Sequence, residues 1–224
     1  MRHDAPAPDR SSPVRGVMRL MSLAAVALFL ALEAASVQAQ EWSQYLAFED
    51  LFSVNFPGEP TVRESAYTTE LGIILPARVY MAEDDFGKYS VTVVDWRDAE
   101  ELYETFLAGC QDCDGAMPND IRGAALHAAF GFVNRGGEVT YLGQMDTEEV
   151  EGVRIHLLNE EGSRTYGTTY WHEYRLYIIE ATAPQGAPPP NSFPVSIGFI
   201  DAEGRRVRYV ERYSPLFPTP ARSR

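Results

Sequence analysis

The chain has 224 residues, 45% of them hydrophobic and 23% charged, which is the composition of a globular protein and excludes wholesale disorder or a fibrous repeat. Nineteen Lys and Arg against 32 Asp and Glu give a net charge of -13. No nucleic acid is expected as a partner, because binding it draws on counterion release by clustered cations, and acidic membrane surfaces are disfavoured for the same reason.

The first feature in chain order is an apolar run at residues 20–32, LMSLAAVALFLAL, preceded by Arg15 and Arg19 and followed by the small-residue pattern Val37-Gln38-Ala39. A positive flank, a short apolar core and a small-residue exit make a secretory signal peptide over residues 1–39. The alternative is an uncleaved anchor, but a helix of this run covers about 20 Å, short of the roughly 30 Å hydrocarbon core. No membrane span is expected after processing. Met18 opens a more usual signal than Met1, since Asp4 and Asp9 burden the longer version. Cleavage after Ala39 removes four arginines and three acids and leaves a net charge of -14. The expected location is periplasmic or secreted.

Residues 40–213 read as a single α+β domain of predominantly antiparallel sheet with two or three helices packed on it. Strand patterns cover residues 51–56, closed by Pro57-Gly58, then 61–68, 76–82 and 88–96, the last two joined by a polar link at 83–87. Tyr89, Val91 and Val93 share one face and Ser90 and Thr92 the other, the alternation of a sheet with one buried side. A helix follows. Asp98 and Glu101 form a capping-box pair, Ala99, Leu102, Tyr103, Phe106 and Leu107 repeat at helical spacing, and Gly109 stops it. A second helix is expected from Asn119 or Asp120 to about His127, with a strand through Ala128, Phe130 and Phe132; continued helix to Asn134 is the rival.

Further strands are expected at 139–144, 153–159, 164–171 and 175–181, with a turn through His172-Glu173-Tyr174. After the proline-rich break at 184–190, Asn191 or Ser192 caps a short helix carrying Phe193, Ile197 and Ile200. A last strand spans 205–213, and residues 214–224 form a flexible tail. Strands with helices inserted between hairpins give α+β.

The stretches Trp42-x-x-Tyr45, Asp50-x-Phe52-x-Val54-x-Phe56-Pro57-Gly58-x-Pro60, residues 89–95, residues 175–178 and Pro188-Pro189-Pro190 resemble small exported proteins of unknown function from Gram-negative, mostly alphaproteobacterial, genomes. More distantly the layout resembles the PsbP-like α/β/α fold. That resemblance implies a binding or assembly factor more than an enzyme, and it brings no catalytic residues to carry over.

Cys110 and Cys113 are the only cysteines. In an oxidising compartment they are expected to form a disulfide. Redox activity and metal ligation are the alternatives. A reactive pair needs its first thiol at a helix N-terminus, whereas this one follows a helix end beside Asp112 and Asp114. Those acids with Asp120 lack the spacing of an EF-hand, and His172-Glu173 lacks the second histidine of a zincin, so no metal and no cofactor is expected. No nucleophile elbow, P-loop or dinucleotide fingerprint appears, and no catalytic residue is assigned. An enzyme would show as His156 or His172 meeting an acid and a Ser or Cys in a deep pocket.

The candidate ligand-binding residues are two sets. Tyr166, Tyr170 and Trp171 crowd one hairpin, with Tyr166 and Tyr170 on one face and Trp171 on the other; core packing competes with a groove for a planar or sugar-like ligand. Arg206, Arg208 and Arg212 form a basic stripe, either an anion site or partners for the protein's own acids. The function expected is a non-catalytic binding or assembly protein serving an unknown protein or small ligand of the cell envelope. A dispersed-site hydrolase or a thiol-redox accessory using Cys110 and Cys113 is the runner-up. An assembly factor would show a contiguous exposed apolar patch.

Overall fold

The computed structural model describes residues 42–223 together with Met1. The export segment expected over residues 1–39, including the alternative start at Met18, otherwise lies outside the described residues. Among the described residues there are ten strands and three helices: β1 (Trp42–Ala47), β2 (Phe52–Pro57), β3 (Thr61–Thr68), β4 (Ile74–Asp84), β5 (Gly87–Asp95), α1 (Glu100–Ala108), α2 (Ala116–Val133), β6 (Glu138–Thr147), β7 (Val150–Leu158), β8 (Arg164–His172), β9 (Arg175–Ala183), α3 (Ser192–Val195) and β10 (Gly198–Phe199).

Seven strands form one antiparallel sheet in the order β3-β4-β5-β9-β8-β7-β6, and β1, β2 and β10 form a smaller antiparallel sheet. The α+β class read from the sequence is what the chain adopts. Alternation along β5 decides the layering. Tyr89, Val91 and Val93 are buried beneath the small sheet and α3, where Tyr89 meets Phe193. On the same side Phe52 packs edge-on against Tyr80 and Tyr177. The opposite side carries α1 and α2: Phe132 packs with Ile155, and the Thr169 hydroxyl donates to the Ala125 carbonyl at 2.7 Å. Helix α2 approaches β8 closely because Gly167 has no side chain; a Cβ there would stand 2.8 Å from the Phe132 ring.

The two helices are tied to the sheet through a buried relay. Trp96 Nε1 donates to the Tyr103 hydroxyl at 3.0 Å, and that hydroxyl donates to Asp120 Oδ2 at 2.5 Å. Helix α1 stops at Gly109 as the sequence requires, but its N-cap is Ala99 and makes no side-chain cap bond, so the Asp98–Glu101 box does not form. Glu100 and Glu101 instead place negative charge in the first turn, where the helix dipole favours it.

Three expectations are corrected. The strand through Ala128, Phe130 and Phe132 is absent, and helix α2 runs to Val133. Ile121, Ala124, Ala128 and Phe132 bury one helical face at three- and four-residue spacing, leaving Phe130 exposed. The turn after β8 is only Glu173 and Tyr174, both at positive φ, so His172 ends the strand and is fully buried. The last strand at 205–213 reduces to isolated bridges, Ile200 with Arg206, Val150 with Tyr213 and Tyr209 with Arg222, each too short to make a named strand. Beyond Tyr213 the chain folds back on residues 208–210: the Val210 amide donates to the Ala221 carbonyl and the Ser223 amide to the Arg208 carbonyl.

Candidate functional site

The sequence-selected residues fall into separate environments. Cys110 and Cys113 are joined as a disulfide, with Cα atoms 5.8 Å apart, in the connection between α1 and α2. Tyr170 is wholly buried against Phe199, its hydroxyl donating to the Met145 sulfur at 3.2 Å. Trp171 points to the helical side and meets Trp96 edge-on at 4.9 Å. Tyr166 lies flat on His156, centroids 3.7 Å apart, and Tyr141 adds a third ring beyond His156. These aromatics are therefore split between two sides of the sheet and line no common groove.

The arginines are occupied by the protein's own acids. Glu148, in the tight β6–β7 turn, accepts Arg206 on one oxygen and Arg208 on the other, each at 2.9 Å, and Glu151 accepts Arg212 at 3.0 Å. Sequence spacing put the three cations in one stripe but gave no sign of their acceptors, which lie more than 50 positions upstream.

The histidines meet aromatic rings. His172 Nε2 is 2.8 Å from the Tyr209 hydroxyl and its ring stacks on Phe199. His156 has its Nε2 buried and without a partner among the described residues; burial, and after it the Arg154 charge, holds its pKa below the ordinary value. His127 faces the Tyr67 ring edge-on. Among the described residues no histidine shares a hydrogen bond with a Ser or Cys side chain, and no group of three His, Cys, Asp or Glu side chains could hold a metal ion.

What the sequence reading missed is the flank formed by β6 and α2. Strand β6 is one of the two outer strands of the large sheet, paired only with β7, so among the described residues its other edge presents unpaired N–H and C=O groups. Its middle, residues 139–145 (VTYLGQM), carries no charge and no proline. Val139, Tyr141 and Leu142 are 40–49% exposed, and Leu126 and Phe130, one turn apart on α2, are each 48% exposed. Leu142 and Phe130 belong to the same side of the sheet, since Leu142 pairs in register with Ile155, which packs under Phe132 of α2. Acids sit at both ends of the edge: Glu138 and the nearby Glu160 at one, Asp146 and Glu149 at the other, none ion-paired among the described residues. The signal was available in the sequence as an uncharged β-forming run bounded by acids.

Beside this edge, α2 and the β6–β7 hairpin enclose a cleft of about 300 Å³. Trp171 and Arg212 both line it, so one member of each sequence-selected set does meet. No helix among the described residues is long and apolar enough to cross a membrane.

Neither a protein-family model nor a curated protein sequence matches the chain. Among solved structures the chain is similar to cyanobacterial PsbP (CyanoP) from Synechocystis sp. PCC 6803, at a TM-score of 0.40 and 9% identity over 74% of this chain and 96% of that one, a likeness of fold alone.

Proposed function

We propose that this protein is a non-catalytic binding or assembly protein of the Gram-negative cell envelope, periplasmic or secreted, that takes an extended segment of a protein partner as an eleventh strand along β6. The observation that carries this reading is the uncharged, exposed and unpaired edge at residues 139–145. Natural proteins protect such edges with charges, prolines, β-bulges or covering elements, because an open edge recruits another chain; β6 has only a register shift between Val139 and Tyr141, and from Tyr141 to Met145 the edge is regular, uncharged and free of proline. Main-chain hydrogen bonds supply affinity in strand addition, and side chains at alternate positions supply specificity.

The acids at the two ends choose the partner's chemistry. Glu138 and Asp146 lie eight positions apart, about 26 Å along a strand. A partner segment with apolar and hydroxyl residues in its middle and Arg or Lys at both ends satisfies both the edge and its charges. A second copy of this acidic chain brings like charges together and is disfavoured.

The test is a synthetic ten-residue peptide of alternating Val and Thr with arginine at each end, added to the purified protein and followed by amide hydrogen exchange. Slowed exchange at the outward amides of β6, absent for the same peptide with glutamate ends and in Leu142→Lys, supports the reading. An Arg-ended peptide that protects no β6 amide, or equal binding of both peptides, overturns it.

A further inference from the structure

The cleft between α2 and the β6–β7 hairpin has an apolar floor and a charged rim. Ile121, Val153 and Trp171 supply the floor. Four charged residues line it: Arg122 from α2, Asp146 from β6, Glu151 from β7 and Arg212 from the C-terminal segment. Arg212 and Glu151 neutralise one another at 3.0 Å. Arg122 on one wall and Asp146 on the other remain, and neither has an opposite charge within ion-pair distance among the described residues.

Among the described residues Arg63, Arg122, Arg154, Arg164 and Arg175 engage no carboxylate, and of these five only Arg122 lines the cleft. Eight other arginines each engage a carboxylate, as a chain with 32 acidic residues makes easy. Small-ligand sites combine an apolar lining with a few convergent polar groups, and about 300 Å³ is at the lower end of their range. One unpaired cation and one unpaired anion across a single mouth select against an ion of either sign alone, because each leaves the other charge facing it. They favour a molecule that carries both charges.

We propose that this cleft is a binding site for a small zwitterion bearing an apolar group, of the size and charge of a free α-amino acid with an aromatic or branched side chain. Its carboxylate is received by Arg122, its ammonium by Asp146, and its side chain covers Trp171. The site is distinct from the strand edge, and its ligand need not be the partner that β6 takes.

Calorimetric titration of the purified protein with L-phenylalanine and L-leucine tests this, with tryptophan fluorescence as a second readout. 3-Phenylpropionate lacks the ammonium, 2-phenylethylamine lacks the carboxylate, and glycine lacks the apolar group. Saturable binding of at least one of the two amino acids is expected, with the three analogues about tenfold or more weaker, the effect of losing one charged hydrogen bond or the apolar contact. Arg122→Gln weakens binding of the amino acid and of phenylpropionate; Asp146→Asn weakens the amino acid and phenylethylamine. Both side chains are exposed, so the variants fold. Absence of saturable binding by both amino acids, an analogue that binds as tightly as its parent, or full affinity in both variants overturns the proposal. The Arg-ended peptide reads outward β6 amides and is scored independently.

Discussion

The Nε2 atom of His172 stands 2.8 Å from the hydroxyl of Tyr209 in a position closed to solvent, and its Nδ1 has no partner among the described residues. Burial, and after it the charges of Arg222 and Arg175, pushes the imidazole down to about 3. In an unfolded chain the same group titrates near 6.5. Above roughly pH 6.5 both states are neutral and the stabilisation is complete. As pH falls towards 3 the unfolded chain takes up a proton that the folded one refuses, and stability drops by up to about 1.4 kcal/mol per pH unit. Urea midpoints at pH 7.5 and 5.0 measure this. The difference shrinks in His172→Phe, and an unchanged difference rules the account out.

Arg78 gathers three acids: Nη1 to Asp50 at 2.9 Å, Nη2 to Glu49 at 2.7 Å and Nε to Glu64 at 3.0 Å. Asp50 is the buried one, and it also accepts the Tyr80 hydroxyl at 2.6 Å. Arg78→Met leaves that carboxylate buried without its cation, at a cost of about 3 kcal/mol. Arg78→Lys recovers only part, because an ammonium cannot serve all three directions at once. Chemical denaturation ranks wild type, Lys and Met in that order; a Met variant as stable as wild type contradicts it.

Reduction of Cys110–Cys113 removes a four-residue loop constraint worth about 2 kcal/mol in the chain-entropy picture. The Tyr103–Asp120 bond still joins α1 to α2, so the helices persist. A lower melting temperature in reductant with unchanged far-ultraviolet dichroism is the expected result. A large loss of helical signal points to a wider role for the bridge.

Export predicts a mature chain that begins at Gln40. Mass spectrometry of envelope fractions should return that terminus. Intact residues 1–39 on cytosolic protein would remove the location from the proposed function.

Hydrophobic period revealed faces more readily than neighbours. Along residues 205–213 Val207, Tyr209 and Tyr213 are buried and the arginines exposed, the alternation expected, yet only isolated bridges form there. The period told which side chains turn inward and was silent on what lies beside the backbone. Helix α2 failed for the converse reason: Ala128, Phe130 and Phe132 alternate in size, but only burial of Ala124, Ala128 and Phe132 together distinguishes a helix. Turns without glycine were the other blind spot. Glu148-Glu149 and Glu173-Tyr174 both take positive φ with no Asn-Gly or Asp-Gly cue, so β6 and β7 were read short and His172 was left in a loop. Strand β1 was missed, whereas β5, α1 and the β8–β9 hairpin were legible from spacing alone.

The doubling back of residues 221–223 onto residues 208–210 carries Arg222 to the end of β8. Arg222 reaches Glu173 at 3.1 Å, beside the strand end that carries His172. Loss of residues 221–223 therefore removes the Arg222–Glu173 pair and a charge that acts on a core imidazole, so a change made at the surface is felt as an interior lesion would be.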